Sequence, residues 1–390
     1  MARIVSYALR PSRASLSGDQ ALGCFRTRLP PAVTGSGDAG LFAQVHYPAD
    51  LNAPPVVAEP FPYFRDEVIQ RIAAGQGIPL SVLRLALGGV RQLDSTRTCR
   101  SMAEGWPIVV FCSGLWGSCE MYTQFCREIA SFGAIVIALE HEDGSGVFAR
   151  RAETGEEIEY VTCPAGLDIG DTAFRHPFLE KRVDELMATV AALVAVAKSS
   201  REACVHNPEE GTLAAVLRHA DPGRMVLAGH SFGTSGIVRY LRRLRENGEA
   251  CPFLGALMMD LWFTPLVSED VVSGLQIPFA LVQSEGWLQS EGWLTNGPKM
   301  RTLFEASGQC FLGACFVRGT RHQWISESHY FAPKWLLRRM GIMGCGDFAS
   351  AHRETVLATQ MALHAILQPG SAQAFRKGLE AIHGTCLEAL

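Results

Sequence analysis

Charged residues make up only 19% of this 390-residue sequence, and the two signs nearly cancel. Lysine and arginine number 35 against 39 aspartate and glutamate residues, which gives a formal net charge of −4 at pH 7. A nucleic-acid-binding protein usually presents a basic excess to the phosphate backbone. We therefore expect no nucleic-acid partner. The hydrophobic share of 48% is typical of a globular protein with a large core.

Long uncharged apolar runs are also missing. The longest helix-like run, LMATVAALVAVA at 186–197, is too short to span a bilayer and predicts a buried helix. Residues 1–18 contain three arginines and four serines but lack the apolar core of a secretory signal. We therefore expect residues 1–20 to form a flexible extension and the protein to be cytoplasmic. The alternative is organelle targeting by that extension.

The twelve cysteines form no C-x-x-C pair and no Cys/His spacing typical of a zinc site. Several of them, including Cys112 and Cys315, lie inside apolar stretches, where cysteine behaves as a small hydrophobic residue. We therefore expect free thiols rather than a framework of disulfides. No His, Asp or Glu cluster has ligand spacing either, so the sequence predicts no metal and no cofactor.

Apolar strands alternate with helical patterns, which predicts an α/β fold with a mostly parallel sheet and helices on both faces. Residues 41–50 alternate between apolar and polar side chains and predict an antiparallel strand at the sheet edge. Further predicted strands are 107–112, 134–141, 223–231, 254–260, 277–285 and 315–322. Predicted helices are 64–74, 79–91, 118–133, 178–197, 234–246 and 351–367. Because no linker divides these elements, we expect one domain over 21–390.

A perfect tandem repeat, QSEGWLQSEGWL, occupies residues 283–294. Repeat architectures need several stacked units, and two copies of six residues do not supply them. We therefore interpret the repeat as a local duplication that lengthens one loop after a strand.

The stretch LAGHSFGTSG at 227–236 places Ser231 between Gly229 and Gly233, directly after an apolar strand and before a helix. A nucleophile elbow needs this strand–serine–helix context, because the backbone turns so sharply that only small residues fit beside the serine. The pentapeptide alone is weak evidence in a chain with 38 glycines. Its position between the two elements makes Ser231 the candidate nucleophile.

A serine nucleophile needs a histidine to accept its proton and a carboxylate to orient that histidine, and in this type of fold they follow in the order Ser, acid, His. Asp260 ends the next predicted strand, and His322 ends the last one. Glu285 ends the intervening strand and competes with Asp260. The competing histidines are His141, His329 and His230, the last inside the turn, where its side chain should point away from the pocket.

An oxyanion hole requires two backbone N–H donors, one of them from the residue that follows the nucleophile. In this sequence that residue is Phe232. The second donor comes from the loop after an earlier strand, and CSGLWG at 112–117 occupies that place. Glycines at 114 and 117 free the backbone around Leu115, which is therefore the second candidate donor.

The chain resembles the platelet-activating-factor acetylhydrolase family, the calcium-independent serine phospholipases that include the plasma and intracellular type II enzymes. The similarity runs from about Leu22 to the final helix. It is carried by HYPAD (46–50), PIVVFCSGLWG (107–117), IALEHEDGSG (137–146), RMVLAGHSFG (224–233), ALMMDLWFTPL (256–266), VQSEGWL (282–288) and VRGTRHQ (317–323). The resemblance implies an α/β-hydrolase fold.

The resemblance also implies roles for single residues. The family places its aspartate in an L-D-x-W-x-x-P-L context, which MDLWFTPL matches and which favours Asp260 over Glu285. Its histidine lies in a G-S-x-H segment, matched by GTRH, which favours His322 over His329. Leu115 and Phe232 would donate the oxyanion N–H groups. The candidate residues for the substrate pocket are Trp116, Trp262, Phe263, Trp287 and Gln323.

The implied function is hydrolysis of short or oxidised sn-2 acyl esters of phospholipids through an acyl-enzyme on Ser231. Two alternatives stay open. The same triad would serve a generic carboxylesterase, thioesterase or polyester hydrolase. A hydrolase-fold protein could instead bind lipid or a partner without catalysis, although such a protein has no physical need for Ser231, Asp260 and His322 together. Substrate profiling separates these alternatives.

Two apolar segments bear on how the chain would meet a lipid. Residues 79–90 carry only Ser81 and Arg84 as polar side chains, and 334–343 sets apolar residues beside Lys334, Arg338 and Arg339. One interpretation is that both pack against the sheet. The other, which the resemblance favours, is that they border the active-site mouth and contact a lipid surface. We expect peripheral membrane contact through these two segments.

Overall fold

The strand that ends at the glycine-rich turn lies near the middle of a large sheet. The computed structural model describes residues 16–31, 40–53, 60–92, 97–151, 153–202 and 212–368, together with 373, 375, 377 and 387–389. The strands are β1 (Leu22–Arg28), β2 (Phe42–Pro48), β3 (Trp106–Cys112), β4 (Ile135–Leu139), β5 (Phe148–Arg150), β6 (Glu157–Glu159), β7 (Ala220–His230), β8 (Phe253–Met259), β9 (Phe279–Ser284), β10 (Phe311–Val317) and β11 (Leu387–Ala389).

In the described part of the chain, nine strands form one sheet in the order β1-β2-β4-β3-β7-β8-β9-β10-β11, and β5 pairs separately with β6. The six central strands from β4 to β10 are parallel. The outer strands β1, β2 and β11 pair antiparallel. Because parallel strands end at the same edge, the loops after β3, β7, β8 and β9 come together.

Helices alternate with these strands. They are α1 (Asp66–Gln76), α2 (Leu80–Leu87), α3 (Thr123–Ser131), α4 (Thr172–Glu202), α5 (Leu213–Leu217), α6 (Phe232–Glu246), α7 (Ser268–Val271), α8 (Glu285–Trp287), α9 (Trp293–Ser307), α10 (Ser328–Phe331), α11 (Lys334–Arg339) and α12 (Phe348–Leu367). Short 3₁₀ segments cover Cys119–Tyr122, Gly308–Cys310 and His322–Ile325, and a π-helical turn covers Leu288–Gly292.

Side chains of the central strands divide between two apolar layers, as the alternation of a strand requires. Ile108 and Val110 of β3 pack in the layer that contains α4 and α6. Val109 and Phe111 pack in the opposite layer, with α3 and α12. Burying each such side chain contributes about 1.5–3 kcal/mol, so the sheet is held firmly from both sides. The predicted arrangement of helices on both faces is confirmed.

Two predictions about the sheet are wrong in detail. The strand predicted at 41–50 is not at the edge, because β1 pairs with β2 on its outer side. The last long strand ends at Val317 rather than at residue 322, and His322 begins a 3₁₀ turn. Residues 22–28 were not predicted as a strand, because the sequence LGCFRTR mixes glycine, arginine and threonine with its apolar residues.

The QSEGWL repeat forms helix rather than the lengthened loop that we predicted. Its first copy passes from the end of β9 into α8, and the π-helical turn and the start of α9 follow without a break. The strand prediction of 277–285 is therefore one residue too long at its end, and a whole helix, α9, was missed. Pro298 inside α9 and Gly297 before it made that helix difficult to predict.

Most of the predicted N-terminal extension lies outside the described residues. Of the part that is described, the N–H groups of Ser17 and Gly18 donate to the side chains of Glu128 and Ser131 on α3. The chain is therefore attached to the fold before residue 21. In the described ranges, no helix combines the length and apolarity needed to cross a bilayer.

Candidate active site

Ser231 lies on a sharp turn between β7 and α6. Its φ is 54°, a region that costs a non-glycine residue about 1–3 kcal/mol. The turn is held from both sides, because the Ser231 N–H donates to the Met259 carbonyl at 2.9 Å and the start of α6 packs closely on the end of β3. A Cβ atom at Gly233 would lie 2.2 Å from the Cys112 carbonyl oxygen, so only glycine permits this approach. The predicted elbow geometry is present.

The side chains of Ser231, His322 and Asp260 form a continuous hydrogen-bonded row. His322 Nε2 lies 2.9 Å from Ser231 Oγ, and His322 Nδ1 lies 2.8 Å from Asp260 Oδ2. Ser284 at the end of β9 holds the carboxylate, donating from its N–H to Oδ1 at 2.5 Å and from its Oγ to Oδ2 at 2.7 Å. The structure thus brings together three residues that are separated by up to 91 positions.

The charge of Asp260 determines how the row is protonated. Burial alone would raise the pKa of this carboxyl, but interactions with His230 and His322 outweigh it and lower the pKa to about 2. Asp260 is therefore ionised and can only accept hydrogen bonds. His322 Nδ1 must carry a proton and donate it to Asp260, which leaves Nε2 as the acceptor for the Ser231 hydroxyl. This is the tautomer that a general base requires.

The loop after β3 brings Leu115, one of the two predicted oxyanion donors, next to the serine. A Cβ atom at Gly114 would lie 3.2 Å from Ser231 Cβ, so this loop packs directly on the candidate nucleophile. Within the described residues, neither the Leu115 N–H nor the Phe232 N–H has an acceptor. Trp116, with a φ of 57°, turns the chain immediately after Leu115. Two free donors beside the serine can bind an oxyanion.

The competing acid and two of the competing histidines have other partners. Glu285 accepts a hydrogen bond from the Gly319 N–H at 2.6 Å and fixes a loop rather than His322. His141 Nδ1 is 2.7 Å from Glu185 Oε2, and burial lowers the pKa of this histidine well below its usual range. His329 stacks on Phe348 with ring centroids 5.2 Å apart. Among the described residues, none of these three is hydrogen-bonded to Ser231, His322 or Asp260.

His230 is closer to the site than we predicted. Its ring is buried beside His322, with centroids 4.5 Å apart, and its Nε2 lies 3.0 Å from the His322 carbonyl oxygen. Burial and the charge of His322 lower the pKa of His230 to about 4, so the ring is neutral at pH 7. Its Nε2–H donates to that carbonyl, and its Nδ1 is left to accept from the Tyr122 hydroxyl at 2.9 Å.

Tyr122 is a site residue that the sequence did not indicate. Its hydroxyl accepts from the Gly114 N–H at 3.2 Å while it donates to His230. A single chain of hydrogen bonds therefore links the candidate oxyanion loop to the backbone of His322. The only sequence signal is a tyrosine in the helix-start segment SCEMY at 118–122, which is too common a feature to be informative.

A surface groove of about 670 Å³ opens beside His322. Two of the five predicted pocket residues, Trp287 and Gln323, line it, as do Arg321 and Arg338. Ser231 itself is only 4% exposed and is not part of the groove lining.

The other three pocket candidates lie elsewhere. Trp262 is buried with its ring centroid 6.0 Å from Phe232 and 6.1 Å from Trp287. Phe263 is 1% exposed within the main apolar core, so its side chain has no surface to offer a ligand. Trp116 packs in the small apolar cluster around α1 and α2. None of the three lines the groove beside His322.

Side chains of the Ser231 row and its neighbour His230 form the one potential metal site found among the described residues. Ligand atoms of His230, Asp260 and His322 lie within 4.8 Å of one another. His322 Nδ1 already donates to Asp260, and His230 Nε2 already donates to the His322 carbonyl. A cation could bind only by replacing these protons and breaking the row, so the arrangement fits proton transfer better than metal binding.

A comparison with a solved structure supports the fold. The ferulic acid esterase from Streptomyces cinnamoneus superposes with a TM-score of 0.58 at 17% sequence identity, covering 97% of this chain and 98% of that one. An identity this low shows the fold alone. Together with the strand order, it confirms the predicted α/β-hydrolase fold.

Sequence comparisons identify the family. The chain is 22% identical over 288 residues to the platelet-activating factor acetylhydrolase of Gallus gallus, covering 69% of this chain and 64% of that protein. It is 24% identical over 278 residues to the corresponding protein of Cavia porcellus, covering 69% and 59%. The alignments thus span less than two thirds of those relatives. The family pattern described as platelet-activating factor acetylhydrolase, isoform II, matches residues 14–374. The chain belongs to this family.

Proposed function

We propose that the chain is a serine ester hydrolase that works through an acyl-enzyme on Ser231. The observation that carries the proposal is the row from Ser231 Oγ to His322 to the ionised Asp260. Ser231 Oγ attacks the ester carbonyl carbon while its proton passes to His322 Nε2. The N–H groups of Leu115 and Phe232 stabilise the oxyanion that forms, which is the largest electrostatic contribution in reactions of this type.

The second half of the cycle uses the same groups. His322 gives its proton to the leaving alcohol oxygen, and the ester bond breaks to leave an acyl-serine. A water molecule then loses a proton to His322 and attacks the acyl carbon, and the Ser231 oxygen recovers the proton as the acid leaves. Asp260 stabilises the imidazolium at each stage. His322 mediates each proton transfer between Ser231, the leaving alcohol and water, so chelators such as EDTA should leave turnover unchanged.

The substrates that we propose are phospholipids with a short or oxidised sn-2 acyl chain. Two relatives named platelet-activating factor acetylhydrolase support this choice. The groove beside His322 adds an independent consideration, because Arg321 and Arg338 line it together with Trp287. Cations next to an aromatic wall suit an ester whose leaving group carries a phosphate and an alkyl chain.

We also propose that two apolar segments hold the enzyme on a lipid surface. Trp335 is 68% exposed and lies on α11 beside the exposed cations Lys334 and Arg338. On α2, Leu85 is 80% exposed. Phe331, just before α11, packs in the apolar cluster that contains Leu87 of α2, which makes the two segments neighbours. Exposed apolar side chains with cations beside them favour the interface of an anionic membrane.

A substrate series tests the proposed substrate class. Glycerophosphocholines with acetyl, butyryl and palmitoyl sn-2 chains would be compared with p-nitrophenyl acetate, each with and without EDTA. We expect kcat/KM to fall as the sn-2 chain lengthens, and Ser231→Ala to abolish every activity. Hydrolysis of p-nitrophenyl acetate without any phospholipid cleavage would retain the esterase chemistry and contradict the substrate. Absence of all activity in the wild type would contradict the function itself.

A further inference from the structure

Arg182 on α4 is almost completely buried, and each of its nitrogens has a partner near the site. Its side chain is 1% exposed. Nε donates to Asp143 Oδ2 at 2.9 Å, Nη1 to the Ser113 carbonyl at 2.6 Å and Nη2 to Ser145 Oγ at 2.7 Å. A buried guanidinium is tolerated only when it is paired and hydrogen-bonded, so these partners are held in fixed positions.

Arg182 fixes the peptides on both sides of the one that carries the Leu115 N–H, one directly and one through Ser145. The Ser113 carbonyl, which accepts from Arg182, belongs to the preceding peptide. The following peptide carries the Trp116 N–H, which donates to the Ser145 carbonyl at 2.7 Å. Ser145 is itself bound to Arg182 through its hydroxyl. The peptide plane between them therefore has little freedom to rotate away from Ser231.

The same guanidinium contacts the residue that carries the second donor. Its Cζ atom lies 4.7 Å from the centroid of the Phe232 ring, which is fully buried. This cation–π contact fixes the side chain of the first residue of α6. One buried side chain thus touches both halves of the candidate oxyanion hole, although Arg182 lies 69 positions from Ser113 and 50 from Phe232.

We propose that Arg182 is a positioning residue that sets the distance and orientation between the two oxyanion donors, an inference that rests on the proposed ester hydrolysis. It does not touch the substrate. Its effect is on the transition state, because the oxyanion hole binds the carbonyl oxygen of the ground-state ester more weakly than the oxyanion of the tetrahedral intermediate. Loss of the fixed geometry should therefore lower kcat and leave KM nearly unchanged.

Arg182→Lys is the test variant, because lysine keeps the positive charge beside Asp143 but cannot reach all three partners at once. Arg175→Lys is the matched control. Arg175 is an equally buried arginine on α4, and its hydrogen bonds go to the Ile169 carbonyl and the Tyr160 hydroxyl, away from the oxyanion loop. Both substitutions disturb a buried charge on the same helix.

The measurements are kcat and KM with p-nitrophenyl acetate, the melting temperature, and inhibition by a trifluoromethyl ketone, whose serine adduct places an oxyanion in the hole. We expect Arg182→Lys to lower kcat by about 10²–10³-fold, as loss of one oxyanion donor does. Its KM should change less than threefold, and the inhibition constant should rise in parallel with the loss in kcat. Arg175→Lys should keep kcat within about threefold of the wild type.

Other outcomes would contradict either the positioning role of Arg182 or the proposed ester hydrolysis. If Arg182→Lys keeps its kcat, or if Arg175→Lys loses as much, Arg182 has no positioning role. If Arg182→Lys does not fold, Ser145→Ala removes one partner of the guanidinium. This variant should lower kcat about tenfold and raise the inhibition constant in parallel, with KM nearly unchanged. An unchanged kcat there overturns the inference. An inactive wild type contradicts the proposed function, and this inference with it.

Discussion

The indole of Trp287 lies flat against the imidazole of His322, with ring centroids 3.8 Å apart and planes inclined by 16°. The indole Nε1–H donates to the carbonyl of Leu261, next to Asp260, at 3.3 Å. Trp287 belongs to the first QSEGWL copy, and the passage of that copy into α8 places the indole here. The indole therefore restricts the orientation of the imidazole, which also has the His230 ring as a neighbour.

Removing this stack should weaken catalysis moderately. An aromatic pair contributes about 0.5–1.5 kcal/mol beyond its buried area, which corresponds to roughly a 2–12-fold change. We expect Trp287→Ala to lower kcat by that factor with p-nitrophenyl acetate and Trp287→Phe to recover most of the loss. The exposed Trp335→Ala is the control and should match the wild type on this soluble ester. Equal kcat values for Trp287→Ala and the wild type would show that the stack is unimportant.

The choice between the two candidate acids can be tested directly. Asp260→Asn should keep the fold but present a donor to His322 Nδ1, which favours the wrong tautomer and lowers kcat by about 10⁴-fold. Glu285→Gln is the control, because Glu285 bonds the Gly319 N–H and not His322. Its kcat should stay within about tenfold of the wild type. The reverse ranking in steady-state assays would make Glu285 the acid.

The buried His230 predicts a dependence of stability on pH. Its pKa is about 4 in the folded chain against 6.5 in the unfolded chain. Above pH 6.5 the His230 imidazole is neutral in both the folded and the unfolded chain, so it does not lower the free energy of unfolding. As the pH falls from 6.5 to 4 the unfolded chain binds a proton that the folded chain does not, and the free energy of unfolding should fall by about 3 kcal/mol.

His230→Asn removes this titration. Urea unfolding at pH 7, 5.5 and 4 should show the stability gap between wild type and variant narrowing by about 3 kcal/mol as the pH is lowered. The other buried histidines titrate in both proteins and cancel in the difference. A gap that stays constant over this range would mean that His230 is not held neutral by the fold.

The proposed lipid contact predicts a loss of membrane binding without a loss of chemistry. The double variant Trp335→Ser and Leu85→Ser removes two exposed apolar side chains and should weaken co-sedimentation with vesicles of phosphatidylserine and phosphatidylcholine. Hydrolysis of p-nitrophenyl acetate and the melting temperature should be unchanged. An exposed control on another face is Leu254→Ser, at 37% exposure. Unaltered sedimentation of the double variant would refute the contact.

The sequence predicted the elements whose signals are local. The apolar strand, the small residues and the helix around Ser231 form one continuous stretch, so the elbow could be recognised without the structure. Asp260 and His322 could be placed by their order and by strand ends, and the structure joins them to Ser231. Their catalytic roles stay a prediction. The choice of Asp260 over Glu285 depended on the resemblance, because both end a predicted strand.

What could not be predicted depends on contacts between distant positions. Tyr122 meets His230 across 108 positions and Arg182 meets Ser113 across 69, and neither pairing leaves a pattern in the sequence. The buried arginine in particular resembles any charged residue on a helix face. Its position after a predicted strand makes the QSEGWL repeat look like a lengthened loop, whereas its first tryptophan packs on His322 and the local chain continues as helix.

Covalent labelling of Ser231 tests the central claim most directly. A fluorophosphonate probe would be incubated with the wild type, Ser231→Ala and His322→Ala, and the adduct would be located by peptide mass spectrometry. We predict one adduct on Ser231 in the wild type, none in Ser231→Ala, and a rate lowered by several orders of magnitude in His322→Ala, because the triad acts as a unit. An adduct on another residue, or equal labelling of Ser231→Ala, would contradict the account.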